Sequence, residues 1–244
     1  VGIEWQAAGI VVHTAPFGEG DALAAIFTED HGLYRGLARG GAARARANIW
    51  QTGNLVEARW IARLSDQLGS FSAELVHPSA ALAMQSPLSL ALLSAACAVA
   101  EGALPEREPQ KPVFRGLLHL IAHIAQPEAV ADLVRWESGL LTHLGYGLDL
   151  TACAVTGARE NLRFVSPKSG RAVSEEGAGL WRERLLPLPA FLAGNGPTPT
   201  AEHLAQGLRL TGHFLARDVF GARHRPLPAA RTMLYEHVSK TVLF

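Results

Sequence analysis

The chain has 244 residues, nearly half of them apolar, a length and composition that support one large core or two small ones and exclude disorder as the default. Acidic and basic residues cancel at 22 each, so the whole-chain charge favours neither nucleic acid nor membrane, and any polyanion site must be local. The two cysteines, Cys97 and Cys153, make no disulfide framework; they read as reduced thiols of a cytoplasmic protein, although their spacing leaves a bridge open.

Residues 1–12 include Glu4 and Gln6 and lack the basic and long apolar regions of a secretory signal, so mature sequence is expected there. Residues 10–13 read as a strand. Residues 23–27 and 33–39 read as two more, joined by Glu29-Asp30-His31-Gly32, whose glycine can take the positive φ of a bulged hairpin. The clearest strand spans residues 55–64, where Val56, Ala58, Trp60, Ala62 and Leu64 alternate with Glu57, Arg59, Ile61 and Arg63. After a turn at Ser65-Asp66, Phe71, Ala73 and Leu75 alternate with Ser70, Ser72 and Glu74. Short antiparallel strands with no crossover helix favour a small barrel over residues 1–78. OB-like is the leading form, and an SH3-like barrel has the same strand count.

From Ser79 the period becomes helical. Ser86-Pro87 suits the start of a helix to Glu101, Pro112 of one to Ala125, and Pro127 of a third. The apolar run at residues 88–100 is shorter than the roughly 20 residues needed to cross a bilayer. In the third helix Val130, Leu133, Val134, Glu137, Leu140, Leu141 and Leu144 share a face, with Gly145 as its stop. Thr198-Pro199 precedes a helix carrying Leu204, Leu208, Leu215 and Val219, and Pro228 opens one with Met233, Leu234 and Val238. The expectation is an α+β, multidomain chain: an OB-like barrel at 1–78, then a mostly helical domain at 79–244. A small irregular insertion is expected at about 151–179, with Ser166-Pro167-Lys168-Ser169-Gly170 as a turn.

Arg35, Arg39, Arg44, Arg46, Arg59 and Arg63 share a window whose only acid is Glu57. The glycine-rich segment from Arg39 to Arg46 suits a loop presenting guanidinium groups to phosphates. Trp50 and Phe71 fit either base stacking or the core. Near the end, Arg217, Arg223, Arg225, Arg231 and Lys240 outnumber Asp218 and Glu236, which reads better as helix-end pairing or a solvated surface than as a site. No P-loop, nucleophile elbow, zinc-protease motif or EF-hand loop is present. His119 and His123 are spaced i, i+4, but nothing acidic between Lys111 and Gln126 completes a metal site. No catalytic residue, cofactor or metal is expected. A nuclease-like acidic cluster is left unsupported, with Glu175-Glu176 reading as loop or helix-start carboxylates.

The order of several motifs resembles the RecO recombination mediator family. They are Gly9-Ile-Val-Val-His13, Phe17-Gly-Glu-Gly-Asp21, Glu29-Asp-His-Gly32, the basic stretch from Ala38 to Arg46, Arg135-Trp-Glu, Leu144-Gly-Tyr-Gly, Leu148-Asp-Leu and Cys153-Ala-Val-Thr-Gly157. Gly20 stands where a serine is more usual. Thr156 replaces the second cysteine of the family's zinc-binding loop, and the downstream cysteine pair is missing around residues 171–176, so a metal-free loop held by packing is expected. The resemblance implies a non-enzymatic DNA repair protein, cytoplasmic and nucleoid-associated. It would bind single- and double-stranded DNA, anneal complementary strands, engage the acidic tail of single-strand-binding protein, and act with RecR to load RecA. The rival reading is an adaptor that binds only proteins, its basic face incidental.

Overall fold

The computed structural model describes residues 3–44, 46–64, 67–194 and 198–241; the expected Ser65-Asp66 turn lies outside them. The chain divides into two compact units, Val1–Ala125 and Gln126–Phe244.

The first unit is built on five strands: β1 (Ile3–Phe17), β2 (Asp21–Thr28), β3 (Gly32–Ala38), β4 (Leu55–Ala62) and β5 (Ser70–His77). They close in the order β1-β2-β3-β5-β4, with β3 and β5 parallel (Leu37 opposite Ser70, Ala38 opposite Phe71) and the other pairs antiparallel. This Greek-key closure is the OB form, and it removes the SH3-like alternative. β1 is far longer than residues 10–13. Its first half pairs with β4 and its second with β2, and a register shift between Val11 and His13 bends it from one partner to the other.

Alternation along β4 places Val56, Ala58, Trp60 and Ala62 in a core shared with Trp5, Val11, Ile26, Trp50 and Phe71. Leu64, expected inside, lies beyond the end of β4 and is exposed. At the β2–β3 hairpin Gly32 has φ +76°, and a Cβ there would also meet the Glu108 carbonyl oxygen at 2.2 Å.

Three helices belong to the same unit: α1 (Ser79–Ala83), α2 (Pro87–Ala103) and α3 (Lys111–Ala122). Ser86 caps α2 by accepting the Ser89 N–H, and Cys97 is sealed inside. α2 packs on β1, and Phe114 of α3 meets Phe27 of β2 edge to face, ring centres 5.4 Å apart. Lys111–Asp30 and Arg115–Glu29 ion pairs fasten α3 to the hairpin. Residue 78 marks where strands give way to helices, while the compact unit continues to Ala125.

The second unit begins with α4 (Ala129–His143). Its end is a Schellman motif: Tyr146 N–H donates to the Leu141 carbonyl, Gly145 N–H donates to that of Thr142, and Gly145 has φ +88°. The segment expected to be irregular supplies two strands, β6 (Leu162–Val165) and β7 (Ala172–Ser174), of a three-stranded sheet in the order β7-β6-β8, whose third strand β8 (Leu186–Pro187) lies beyond it. The Ser166 to Gly170 turn joins the first two, with Gly170 N–H donating to the Ser166 carbonyl. Short α5 (Glu175–Ala178) and α6 (Ala190–Ala193) follow β7 and β8. α7 (Ala201–Phe214) carries a capping box from Thr200 and continues into a π turn, Leu215–Phe220. α8 (Ala229–Lys240) starts after Pro228.

Between α4, α7 and α8 the core is not wholly apolar. Arg231, expected in helix-end pairing or on a solvated surface, is buried and paired with Glu137, the one acid on the apolar face of α4.

Candidate nucleic-acid interface

Arg39 ends the β2–β3 arm, and a loop of turns carries Arg44 and Arg46 past it before the chain re-enters the barrel at Trp50. That loop borders a groove of about 470 Å³ lined by Gln6, Arg39, Arg46, Ile49, Trp50, Glu57, Arg59, Phe71, Ser72, Ala73 and Glu74. Strand register explains the wall: Gln6 lies opposite Arg59 and Arg59 opposite Ser72, so the three stand in one row across β1, β4 and β5. Trp50 and Phe71 are almost wholly buried at its base, packed as core aromatics rather than as open stacking faces.

The six arginines do not form one cluster. Arg39, Arg46 and Arg59 meet at the groove, while Arg44 is exposed on the same loop and Arg63 just past β4. Among the described residues no carboxylate lies within ion-pair distance of Arg39, Arg44, Arg46 or Arg63. Arg59 is held by Glu4 at 2.5 Å; this hydrogen bond raises the guanidinium pKa and lowers that of the carboxyl. Arg35 stands apart from the groove lining, bonded at 2.6 Å to both Glu101 and Glu106. Burial opposes its charge, but these two carboxylates outweigh burial and raise its pKa. Glu4, Glu101 and Glu106 lie outside the basic window, and Glu74 joins Glu57 in the groove. The site is therefore basic along its loop and mixed along its wall.

The second unit holds two adjoining cavities. One, of about 650 Å³, has Arg159 and Arg163 among its lining, with Leu150, Leu162, Leu188 and Ala193. The other, of about 860 Å³, includes Arg163, Phe164, Arg182, His203, Glu160, Glu175 and Glu176.

Sequence comparison bears on both units. A family profile described as Recombination protein O N terminal matches residues 3–79, and one described as Recombination protein O C terminal matches residues 84–227. The chain belongs to the RecO family. It is 57% identical over 242 residues to a protein named DNA repair protein RecO from Granulibacter bethesdensis, covering 97% of this chain and 96% of that one. Proteins of the same name from Acidiphilium cryptum and Gluconacetobacter diazotrophicus are 55% and 52% identical, over 98% and 97% of this chain and 96% and 95% of theirs.

The residues at the position of the RecO zinc-binding loop do not fit a zinc ion. Among the described residues no three His, Cys, Asp or Glu side chains gather to hold a metal, and His119 and His123, with ring centres 4.3 Å apart, have no third partner. Instead the Cys153 sulfur accepts hydrogen bonds from the backbone N–H groups of Val155, Thr156 and Ser174 and from the Ser174 hydroxyl, at 3.2–3.4 Å. Burial pushes the thiol pKa up, yet the donors on Ser174 and Thr156 outweigh it and bring it down to about 6. Val173 and Ala178 pack around the sulfur's residue in the same small core. At Cys97, with burial alone, the thiol is pushed up to about 12. Among the described residues no helix is long and apolar enough to cross a membrane.

Proposed function

We propose that this chain is a non-enzymatic DNA repair and recombination mediator, acting in the cytoplasm at the nucleoid, that binds single- and double-stranded DNA through the barrel. The observation that carries the reading is the exposed Arg39, Arg44 and Arg46 of the loop that borders a groove on an OB barrel, with Arg63 exposed just past β4, all without carboxylate partners among the described residues. Guanidinium groups so placed neutralise phosphates and release counterions, giving tight, nearly sequence-independent and salt-sensitive binding. Neutralising phosphates on two strands at once also lowers the repulsion between them, which supports strand annealing.

Family membership supports the finer steps: acting with RecR to load RecA on strands coated by single-strand-binding protein, and engaging that protein's acidic tail. The 650 Å³ cavity has the features such a tail needs, with Arg159 and Arg163 for its carboxylates and an apolar floor. Titration of a fluorescent tail peptide against the whole chain and an Arg159→Ala/Arg163→Ala variant tests that placement; equal affinities remove it.

The deciding experiment for the barrel is a titration of fluorescent single-stranded DNA at several salt concentrations with Arg39, Arg44 and Arg46 replaced by Ala. Affinity should fall and the salt dependence flatten; unchanged affinity and slope would take the barrel out of the DNA site. Glu57 and Glu74 in the groove favour the rival, a protein-only adaptor, and gel shifts at low and physiological salt separate the two.

A further inference from the structure

Four of the five tryptophans are withdrawn from water: Trp5, Trp50, Trp60 and Trp136 are at most 8% exposed, whereas Trp181 is 62% exposed. It stands in a 3-10 turn, Gly179–Arg184, beside the fully exposed Leu180, where the chain runs from α5 to β8. Leaving a large aromatic and a leucine side by side in solvent costs hydrophobic stabilisation that burial elsewhere would recover. Nothing in the local packing calls for it, since no residue of the turn is buried.

The surroundings indicate what the ring meets. Arg184 lies over it, with its guanidinium carbon 5.2 Å from the ring centre, and Arg182 lies 5.3 Å from the centre of the Phe164 ring. Phe164 and Arg182 continue into the 860 Å³ cavity together with Arg163, and one of that cavity's carboxylates, Glu175, is already paired with Arg182. A folded partner would favour a continuous apolar patch, but here Leu180 and Trp181 give way at once to Arg182, Glu183 and Arg184. Interleaved rings and guanidinium groups suit a flexible strand instead: a base of any identity stacks on the ring, and a neighbouring phosphate meets an arginine.

We propose that Trp181 is a base-stacking contact for single-stranded nucleic acid, with Arg184 meeting a neighbouring phosphate. It forms a second strand-binding surface, in the unit without the barrel. The inference rests on the single-strand-binding reading above and adds to it a contact by which one chain could hold more than one stretch of strand.

Because Trp181 is the tryptophan that faces solvent, acrylamide quenching of the whole chain reports on it. Saturating short oligothymidylate should shield this component. Trp181→Phe should abolish the shielded signal while keeping most of the affinity, and Trp181→Ala should weaken binding roughly tenfold. The Arg39→Ala/Arg46→Ala variant should still show the shielding at saturation. If anisotropy shows the oligomer bound while Trp181 stays as quenchable as before, or if Trp181→Ala binds like wild type, the stacking contact is refuted and the barrel reading stands. If the wild-type chain binds no oligomer at all, both fall.

Discussion

Arg231 and Glu137 form an ion pair sealed from solvent, Nε to Oε1 at 2.5 Å and Nη2 to Oε2 at 2.9 Å. The Thr211 hydroxyl donates to the same carboxylate, and the Leu208 carbonyl accepts from Arg231 Nη2, so α4, α7 and α8 are joined through one network. Charges so buried are tolerable only while every partner is present. Replacing Glu137 or Arg231 alone by Ala is expected to cost about 3–5 kcal/mol, whereas Glu137→Leu combined with Arg231→Met should cost far less. Urea unfolding followed by circular dichroism checks this, and additive losses in the double variant would contradict it.

The two classes of barrel arginine should separate in experiment. Arg35→Ala removes a partly exposed pair of bonds and should lower stability by about 1 kcal/mol, leaving DNA affinity and its salt slope unchanged. Removing Arg39, Arg44 and Arg46 should do the reverse: little change in stability, and a log affinity against log salt slope shallower by about 2, at roughly 0.7 per single-strand phosphate contact. Parallel melting and anisotropy titrations at several salt concentrations read both effects. An Arg35→Ala chain with a flattened slope would place that residue at the DNA after all.

Cys153 makes the second unit sensitive to pH in a stated direction. Its folded pKa, about 6, lies below the ordinary thiol value of 9.0. The stabilisation from the thiolate is therefore complete above the ordinary value and is lost as pH falls through the folded one. Wild type should lose stability relative to Cys153→Ser between about pH 9 and pH 6. Thiolate absorbance in the ultraviolet should show a step near the lower value that Cys153→Ser lacks. Titration of both thiols at ordinary or higher pH would rule the arrangement out.

Gly145 isolates a backbone effect. Its φ is +88°, and a Cβ there would meet nothing within 4 Å. Gly145→Ala should thus cost about 1 kcal/mol through conformation alone, and Gly145→Asn less. Equal melting temperatures for wild type and the alanine variant would show that the end of α4 relaxes into another form.

What could be read directly from sequence was whatever is encoded over short separations. The alternation around Trp60, the hairpin glycine at Gly32, the stop at Gly145 and the turn before Gly170 each rest on a few neighbouring residues, and the structure contains all of them. Partners brought together by folding were hidden. Arg35 meets acids 66 and 71 positions away, and Arg231 meets one 94 positions away. No local signal distinguishes those arginines from solvated ones. The small sheet was missed because strands of 4, 3 and 2 residues are too short to display a period. Trp181 was equally silent, since exposure of an aromatic has no signature in its neighbours.

Phe27 points away from the barrel interior toward Phe114, and the adjacent hairpin acids are matched by Lys111 and Arg115. A gene fragment ending at residue 78 would strand that ring in water and leave Glu29, Asp30 and Arg35 without their mates. Dissection of the protein into working pieces is better made after Ala125, and inherited changes along the outer side of β2 should be accompanied by compensating changes on α3.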